Sequence, residues 1–215
     1  MYKTVIFDLD GTLLDTLEDL QTAVNAALTP YGLPCRSMEE VRRFVGDGIA
    51  KLMERAIGAE NHPNFEEVLT AFKAHYRAHC KDATKPYDGI MELLKNLQAA
   101  GIKTAVLSNK ADFAVKLLSK EYFDGLLLAA VGENEAAGVR KKPAPDALFS
   151  VMRELNAEKA ETVYIGDSEV DIQTAKNAGV ACISVTWGFK DKEFLLKNGA
   201  EILVDTPSEI LQYCR

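Results

Sequence analysis

The 215-residue chain has few residues of the kinds that form covalent or metal cross-links. Its four cysteines include no Cys-x-x-Cys spacing, so neither a zinc knuckle nor a redox pair is indicated. We expect these cysteines to be reduced thiols and the protein to be cytoplasmic. His75 and His79 lie four residues apart on a predicted helix, but no third ligand is evident. A solvated helix face is therefore the better interpretation of this pair.

The chain also lacks long hydrophobic runs and an excess of positive charge. Its longest apolar run, residues 126–131, is far shorter than the roughly 20 residues that cross a bilayer. The 25 Lys and Arg residues are outnumbered by 32 Asp and Glu residues, which gives a net charge of −7. We therefore expect neither a membrane nor a nucleic acid as partner, because the surfaces that bind them carry clustered basic residues. The sequence leaves the oligomeric state open.

The most informative stretch lies near the N-terminus. Residues 5–7 are apolar and precede Asp8 and Asp10, which predicts a buried strand that ends in a turn. Both carboxylates would point to the same side of an extended chain. Ligands bind at this end of the strands in an open parallel sheet. Two carboxylates so close together repel each other, so the pair indicates a divalent metal, a shared proton or both, whereas a polar turn is the alternative for the pair alone.

The rest of the chain predicts an α/β fold with an inserted helical domain. Residues 15–83 show only helical patterns, including a capping-box spacing at residues 37–40. From residue 88 onward, strands that are apolar on both faces alternate with helices, which is typical of a parallel sheet covered on both sides. We therefore predict a Rossmann-like parallel-sheet core formed by residues 1–14 and 84–215, and an all-helical cap domain formed by residues 15–83.

Polar clusters follow two further predicted core strands. Ser108, Asn109 and Lys110 come directly after the predicted strand 103–107, where a hydroxyl and an amide can donate hydrogen bonds to a phosphate oxygen. Asp167 and Asp171 follow the apolar residues 163–165. Because carboxylates one helical turn apart share a face, both could reach a metal held near the first strand. Each cluster alone is also compatible with a helix cap.

A fourth cluster contains Lys142 followed by Pro143 and Pro145. The prolines stiffen the backbone behind the lysine, which reduces the entropy lost when its ammonium group is aimed at a phosphate. A solvated helix start is the alternative for this cluster in isolation. The four clusters together, at one edge of one sheet, match the requirements of a phosphoryl-transfer site.

These clusters resemble the four motifs of the haloacid dehalogenase (HAD) superfamily of phosphohydrolases. The matching segments are Asp8-x-Asp10-Gly11-Thr12, Ser108-Asn109-Lys110, Lys142-Pro143-x-Pro145 and Gly166-Asp167-Ser168-x-x-Asp171. The resemblance implies the HAD fold for the core. Within the superfamily, Leu14-Asp15-Thr16, the helical cap and the segment at residues 44–48 are most similar to phosphoglycolate phosphatases.

The resemblance also implies a role for each carboxylate. Asp8 would be the nucleophile that forms an aspartyl-phosphate, and Asp10 would be the general acid and base. Mg²⁺ would be the cofactor, held by Asp8, the backbone carbonyl of Asp10, and Asp167. Asp171 would complete the metal site by ordering metal-bound water or Lys142.

The remaining implied roles concern the substrate. Ser108, Asn109 and Lys142 would hold the other phosphoryl oxygens of a small phosphomonoester. No other cofactor is implied, and no Gly-x-x-x-x-Gly-Lys sequence occurs that would form a nucleotide-binding P-loop.

Several functions remain open at this point. A phosphoglycolate phosphatase is the first interpretation, and a β-phosphoglucomutase-like phosphomutase or a nucleotide or pyrophosphate phosphatase of the same superfamily is the alternative. A non-enzymatic phospho-acceptor module is disfavoured by the long cap and by the Lys142-Pro143 motif. Arg42, Arg43 and Lys51 lie close to the turn at residues 46–48 and are candidates to bind a substrate carboxylate, although an exposed helical charge pattern is the more common explanation for each one taken alone.

Overall fold

The computed structural model describes residues 1–59, 62–134 and 138–214. The chain forms two compact units. The core unit comprises Met1–Leu14 and Pro86–Arg215, and the cap unit comprises Asp15–Lys85. Within the described ranges, no helix combines the length and the apolar character that a membrane crossing requires.

The described residues form the following strands and helices. The strands are β1 (Thr4–Phe7), β2 (Leu14–Asp15), β3 (Lys85–Pro86), β4 (Lys103–Ala111), β5 (Ala129–Glu133), β6 (Thr162–Gly166), β7 (Ala181–Val185) and β8 (Leu203–Val204). The helices are α1 (Leu17–Leu28), α2 (Met38–Phe44), α3 (Ile49–Ile57), α4 (Phe65–His79), α5 (Ile90–Ala99), α6 (Asp112–Phe123), α7 (Asp146–Glu154), α8 (Glu169–Ala178) and α9 (Lys192–Lys197). Short 3₁₀ helices cover Thr29–Tyr31, Lys159–Glu161 and Pro207–Tyr213.

The core unit contains a six-stranded parallel sheet in the order β5-β4-β1-β6-β7-β8. Strand β1 lies between β4 and β6, and Ile6 is level with Ala105 on one side and Tyr164 on the other. The chain continues from β1 to β4 and β5, and later returns to the opposite side of β1 for β6, β7 and β8. The strand order therefore reverses at β1, and in such sheets ligands bind at the carboxyl ends of the strands beside this reversal. The predicted α/β class and parallel sheet are confirmed.

Both faces of the sheet are buried. Ile6, Leu107 and Tyr164 belong to a hydrophobic cluster that also contains residues of α7 and α8. The alternate residues of β1, Val5 and Phe7, are buried as well. This explains why these strands have continuous apolar sequences rather than an alternation of apolar and polar residues.

Several segments differ from the sequence prediction. Strand β4 continues to Ala111, so that Ser108, Asn109 and Lys110 lie within the strand, and its register with β5 shifts between Leu107 and Ala111. Strands β2 and β3 were not predicted, because a two-residue strand is too short to show periodicity; they pair with each other. The last helical segment, Pro207–Tyr213, is a 3₁₀ helix.

Helices α1 to α4 build the cap unit. The predicted capping box at the start of α2 is present: the Ser37 hydroxyl accepts a hydrogen bond from the Glu40 amide, and the Glu40 carboxylate accepts one from the Ser37 amide. Arg55 of α3 donates to the Phe44 carbonyl and to the Asp47 carboxylate. The turn at residues 46–48 is therefore tied to α3 by a charged hydrogen bond.

Two of the basic residues near this turn form ion pairs within their own helices. Arg43 pairs with Glu39 at 3.4 Å and Lys51 pairs with Glu54 at 2.8 Å. Pairs of this kind are usual on exposed helix surfaces. A contact of these residues with a substrate carboxylate stays a prediction.

The cap unit also contains a buried carboxylate with a structural role. Asp19 of α1 is 5% exposed and accepts hydrogen bonds from the backbone amides of Ala83 and Thr84, both at 2.9 Å, and from the Thr84 hydroxyl at 2.7 Å. It thus joins the first helix of the cap unit to the end of that unit's chain.

We expect Asp19→Ala to destabilise the protein by roughly 2–4 kcal/mol, because buried backbone donors lose their acceptor. The lowered unfolding midpoint would be measured by circular dichroism in urea. Glu18→Gln, at the exposed neighbouring position, is the matched control and should change stability by no more than about 0.5 kcal/mol. Equal stability of the two variants would show that the hydrogen bonds of Asp19 contribute little.

Candidate active site

Three neighbouring strands bring the predicted site residues to one edge of the sheet. Asp8 and Asp10 follow β1, Ser108 lies in β4, and Asp167 follows β6. Lys142 comes from the segment between β5 and α7. Most of the predicted residues are almost inaccessible to solvent: Asp8, Ser108, Asn109, Lys142, Asp167 and Asp171 are all at most 8% exposed.

Three of the carboxylates form one cluster. Asp8, Asp167 and Asp171 each offer an oxygen, and these oxygens lie within 4.8 Å of one another. Burial raises the pKa of Asp8 from 3.8 to about 6; Lys142 opposes this rise, and the charges of Asp171 and Asp10 add to it. Burial, together with the charges of Asp171 and Asp8, also raises the pKa of Asp167 well above its ordinary value. The site therefore holds negative charges that are poorly solvated and that repel each other.

Lys142 partly compensates this charge. Its ammonium group lies 2.7 Å from Asp171 Oδ1 and 3.1 Å from Asp8 Oδ1. Burial alone would lower the pKa of Lys142, but the Asp171 and Asp8 carboxylates outweigh burial and raise this pKa well above its ordinary value. Lys142 is thus a fixed cation beside Asp8, where it can attract an anionic substrate.

Tyr164 supports Lys142 from the sheet. Its hydroxyl accepts a hydrogen bond from the Lys142 ammonium group at 3.0 Å and donates one to the Leu107 carbonyl at 2.7 Å. The side chain is fully buried in the central part of the sheet. The sequence analysis assigned Tyr164 only to the apolar core, and nothing local in the sequence indicated a partner for its hydroxyl.

Asn109 holds the backbone of the segment that carries Lys142. Its side-chain amide donates to the Lys142 carbonyl at 3.0 Å and accepts from the Lys142 amide at 2.8 Å. The peptide bond between Lys142 and Pro143 is cis. These two hydrogen bonds occupy both ends of the Asn109 amide, so its clearest role is to position Lys142.

The partners of Asp167 and Asp171 differ. Asp171 Oδ1 accepts from Lys142, and Oδ2 accepts from the amide and the hydroxyl of Ser168 at 3.1 and 2.6 Å. Asp167 accepts from the Phe189 amide at 2.7 Å and from the Thr12 hydroxyl at 3.4 Å. Protein donors therefore engage both oxygens of Asp171 strongly, whereas one oxygen of Asp167 has only a long contact.

Glycines allow the backbone to approach these carboxylates closely. A Cβ atom at Gly11, where φ is +78°, would overlap the Asp167 carboxylate, and one at Gly188 would overlap Asp167 and the Gly11 carbonyl. Trp187 Nε1 donates to the Thr12 carbonyl at 3.0 Å. Trp187 therefore packs against the loop that follows β1.

Asp10 has its own cationic partner. Lys110 Nζ lies 2.8 Å from Asp10 Oδ1 and 3.1 Å from Asp10 Oδ2, and the Lys110 side chain is only 2% exposed. Lys110 was part of a recognised motif, but no role was assigned to it from the sequence. A lysine directly after Ser-Asn at the end of an apolar strand was the available signal.

The carboxylates fit a hard divalent cation. Mg²⁺ prefers oxygen ligands, and the cluster of Asp8, Asp167 and Asp171 offers carboxylate oxygens. When the four aspartates at this edge, including Asp10, are all ionised, the two buried lysines leave an excess of two negative charges. A divalent cation carries the charge that would neutralise this excess.

Comparisons with known proteins agree with this geometry. The model of the family described as haloacid dehalogenase-like hydrolase matches residues 5–185. A phosphoglycolate phosphatase from Pseudomonas syringae is 33% identical, over 99% of this chain and 79% of its own length. One from Chromobacterium violaceum is 35% identical, over 97% of this chain and 94% of its own length. A protein of known crystal structure from Lactobacillus delbrueckii subsp. bulgaricus is 37% identical in sequence. Its fold matches this one with a TM-score of 0.93, over 99% of this chain and 98% of that chain.

The crowding of carboxylates predicts that Asp8→Asn stabilises the metal-free protein. Asp8 titrates near 3.8 in the unfolded chain and near 6 in the folded one, so the folded state binds its proton more tightly. Ionisation of Asp8 therefore lowers the free energy of unfolding as the pH rises from about 4 to about 6. Above pH 6, we expect Asp8→Asn to be more stable than the wild type by about 3 kcal/mol.

The unfolding midpoint of both proteins would be measured in EDTA across this pH range. The difference between them should grow from pH 4 to pH 6 and then stay constant. Asp124→Asn, at an exposed position, is the control and should show no such trend. A variant less stable than the wild type at pH 7 would contradict the proposed repulsion.

Proposed function

The chain belongs to the haloacid dehalogenase-like hydrolase family and is a phosphatase, and we propose that it is a magnesium-dependent phosphoglycolate phosphatase that works through an aspartyl-phosphate. The observation that carries the chemical part of this proposal is the position of Asp8. Its carboxylate is buried at a strand end, beside the fixed cation of Lys142 and two further aspartates. A nucleophile in such a place can meet a phosphate group that Lys142 attracts.

The reaction proceeds in two displacements at phosphorus. In the first, an Asp8 oxygen forms a bond to phosphorus, the bond to the leaving oxygen breaks, and Asp10 donates a proton to that oxygen. In the second, Asp10 accepts a proton from a water molecule whose oxygen attacks phosphorus. The bond between Asp8 and phosphorus then breaks, which releases inorganic phosphate and restores the Asp8 carboxylate and the protonated form of Asp10.

The other buried polar groups bind and orient the phosphate. Lys142 and the Ser108 hydroxyl donate hydrogen bonds to the phosphoryl oxygens. Asn109 acts through Lys142, because both ends of its amide bind the Lys142 backbone. Tyr164 limits the movement of the Lys142 ammonium group from the sheet side.

Asp8, Asp167 and the backbone carbonyl of Asp10 would hold Mg²⁺. When bound, the cation neutralises charge on the phosphate and the nucleophile together. Asp171 was expected to complete the metal site by ordering either metal-bound water or Lys142. Its hydrogen bonds to Lys142 and Ser168 favour the second of these roles.

Phosphoglycolate is proposed as the substrate because the curated relatives from Pseudomonas syringae and Chromobacterium violaceum are named phosphoglycolate phosphatases. A panel of phosphomonoesters, assayed for phosphate release with Mg²⁺, tests this choice. It should contain phosphoglycolate, sugar phosphates, nucleotides, pyrophosphate and an aryl phosphate. Preference for another compound would refute the substrate, and interconversion of a sugar phosphate without phosphate release would reveal a phosphomutase.

We expect Asp8→Asn to lower kcat at least 100-fold, because an amide is a poor nucleophile; this corresponds to about 2.7 kcal/mol in barrier height. Activity would be followed by phosphate release, with circular dichroism as the test of folding. Residual turnover above about 1% would argue against covalent catalysis by Asp8.

We expect Asp167→Ala to raise the Mg²⁺ concentration that gives half-maximal activity about tenfold or more, because one charged oxygen ligand is lost. Magnesium titration after treatment with EDTA measures this change. Glu169→Gln, which removes a neighbouring charge outside the carboxylate cluster, serves as the comparison. Wild-type activity that survives chelation would refute the metal assignment.

A further inference from the structure

We propose that Lys110 is a positioning residue for Asp10. It holds the Asp10 carboxyl group in place for proton transfer to the leaving oxygen and, later, from the attacking water. This inference rests on the proposed role of Asp10. It adds a residue to which the motif comparison assigned no function. The observation behind it is the contact of one ammonium group with both oxygens of the Asp10 carboxylate, at 2.8 and 3.1 Å.

The contact between Lys110 and Asp10 is unusual because both side chains are largely buried. The Lys110 side chain is 2% exposed and that of Asp10 is 12% exposed. Burying an ammonium group is costly, and an apolar pair of similar size is often as stable as a buried ion pair. Stability alone therefore gives little reason for a lysine at this position. Placement of the Asp10 carboxylate gives a better reason.

The backbone on both sides of the contact is also fixed. The loop around Asp10 is closed by hydrogen bonds from the Gly11 amide to the Leu14 carbonyl and from the Leu14 amide to the Leu9 carbonyl. Lys110 lies in β4 between Leu107 and Ala111, both of which pair with β5. With both backbones held, the ion pair fixes the remaining freedom of Asp10, which is the rotation of its side chain.

The two buried lysines of the site are divided between the two carboxylates that follow β1. Lys142 contacts Asp8 and Asp171, whereas Lys110 contacts Asp10. The proposed nucleophile and the proposed acid and base thus have separate cationic supports. Loss of Lys110 should affect the proton-transfer steps and leave the attack by Asp8 nearly intact.

The effect of Lys110 on proton transfer can be distinguished from an effect on the attack by Asp8 with two substrates that differ in their leaving group. Phosphoglycolate releases an alkoxide, which needs a proton from Asp10. p-Nitrophenyl phosphate releases a stabilised phenolate, which does not need one. Hydrolysis of the aspartyl-phosphate needs Asp10 as a base with either substrate.

For Lys110→Met, we expect kcat with phosphoglycolate to fall about 100-fold, with KM changed less than about threefold. With p-nitrophenyl phosphate, the first turnover should keep a rate within about fivefold of the wild type and should be followed by slow steady-state turnover. The result is a burst of p-nitrophenol of one equivalent per active site. Lys110→Arg should recover part of the loss, because a guanidinium group can also bind both carboxylate oxygens.

A double-mutant cycle with Asp10→Asn tests whether Lys110 acts through Asp10. If it does, Lys110→Met should cause less than about a threefold further loss in the Asp10→Asn background. Lys120→Met, at an exposed position of α6, is the matched control and should keep wild-type activity. Additive losses in the cycle would overturn the proposal, as would a first turnover of p-nitrophenyl phosphate that slows as much as phosphoglycolate turnover.

Failure of a variant to fold and a wrong choice of substrate can each be distinguished from failure of the proposal. If Lys110→Met fails to fold, Lys110→Gln replaces it in the cycle; failure of both variants, with a folded Asp10→Asn protein, assigns Lys110 to stability and overturns the proposal. If the wild type hydrolyses other alkyl phosphates but not phosphoglycolate, the proposed substrate is wrong. The Lys110 comparison is then made with the alkyl phosphate that is hydrolysed.

Discussion

The mutual repulsion of buried carboxylates is the constraint on which the rest of the site depends. Asp8, Asp167 and Asp171 lie at one edge of the sheet with oxygens within 4.8 Å of one another, and burial raises the pKa of both Asp8 and Asp167. A fold optimised for stability alone would separate or replace such groups. Their presence requires compensating cations. Lys142, held by Asn109 and Tyr164, is a cation that the described part of the chain supplies to this cluster.

The topology of the sheet makes this crowding possible. Strands β4, β1 and β6 are neighbours, although β4 and β6 are far from β1 in sequence. Each delivers a polar side chain at the same edge: Ser108, Asp8 and Asp167. Close approach of the loops then depends on glycine, because a side chain at Gly11 or Gly188 would occupy the space of Asp167. The strand order thus brings the groups together, and small residues set how closely they pack.

Much of the fold and the membership of the site could be predicted from the sequence, because both depend on local patterns. Runs that are apolar on both faces indicated a parallel sheet, and polar residues at strand ends indicated where Asp8, Asp167 and Lys142 would meet. The hydrogen-bond partners could not be predicted in this way. The partner of the Tyr164 hydroxyl is the Leu107 carbonyl, 57 residues away, and the place of Lys110 depends on a shift in register between β4 and β5. Both are set by tertiary packing, which a local pattern does not contain.

The two lysines divide the site into parts with different chemical demands. A nucleophile must be anionic and close to phosphorus, and Lys142 beside Asp8 favours the charged form of that carboxylate. An acid and base must instead exchange a proton at a defined position, so the direction of its carboxylate matters as much as its charge. A bidentate contact such as that between Lys110 and Asp10 fixes direction. Two aspartates separated by a single residue can therefore perform different tasks, because lysines from different parts of the chain support them. The lysine beside Asp10 comes from β4, and the lysine beside Asp8 comes from the segment after β5.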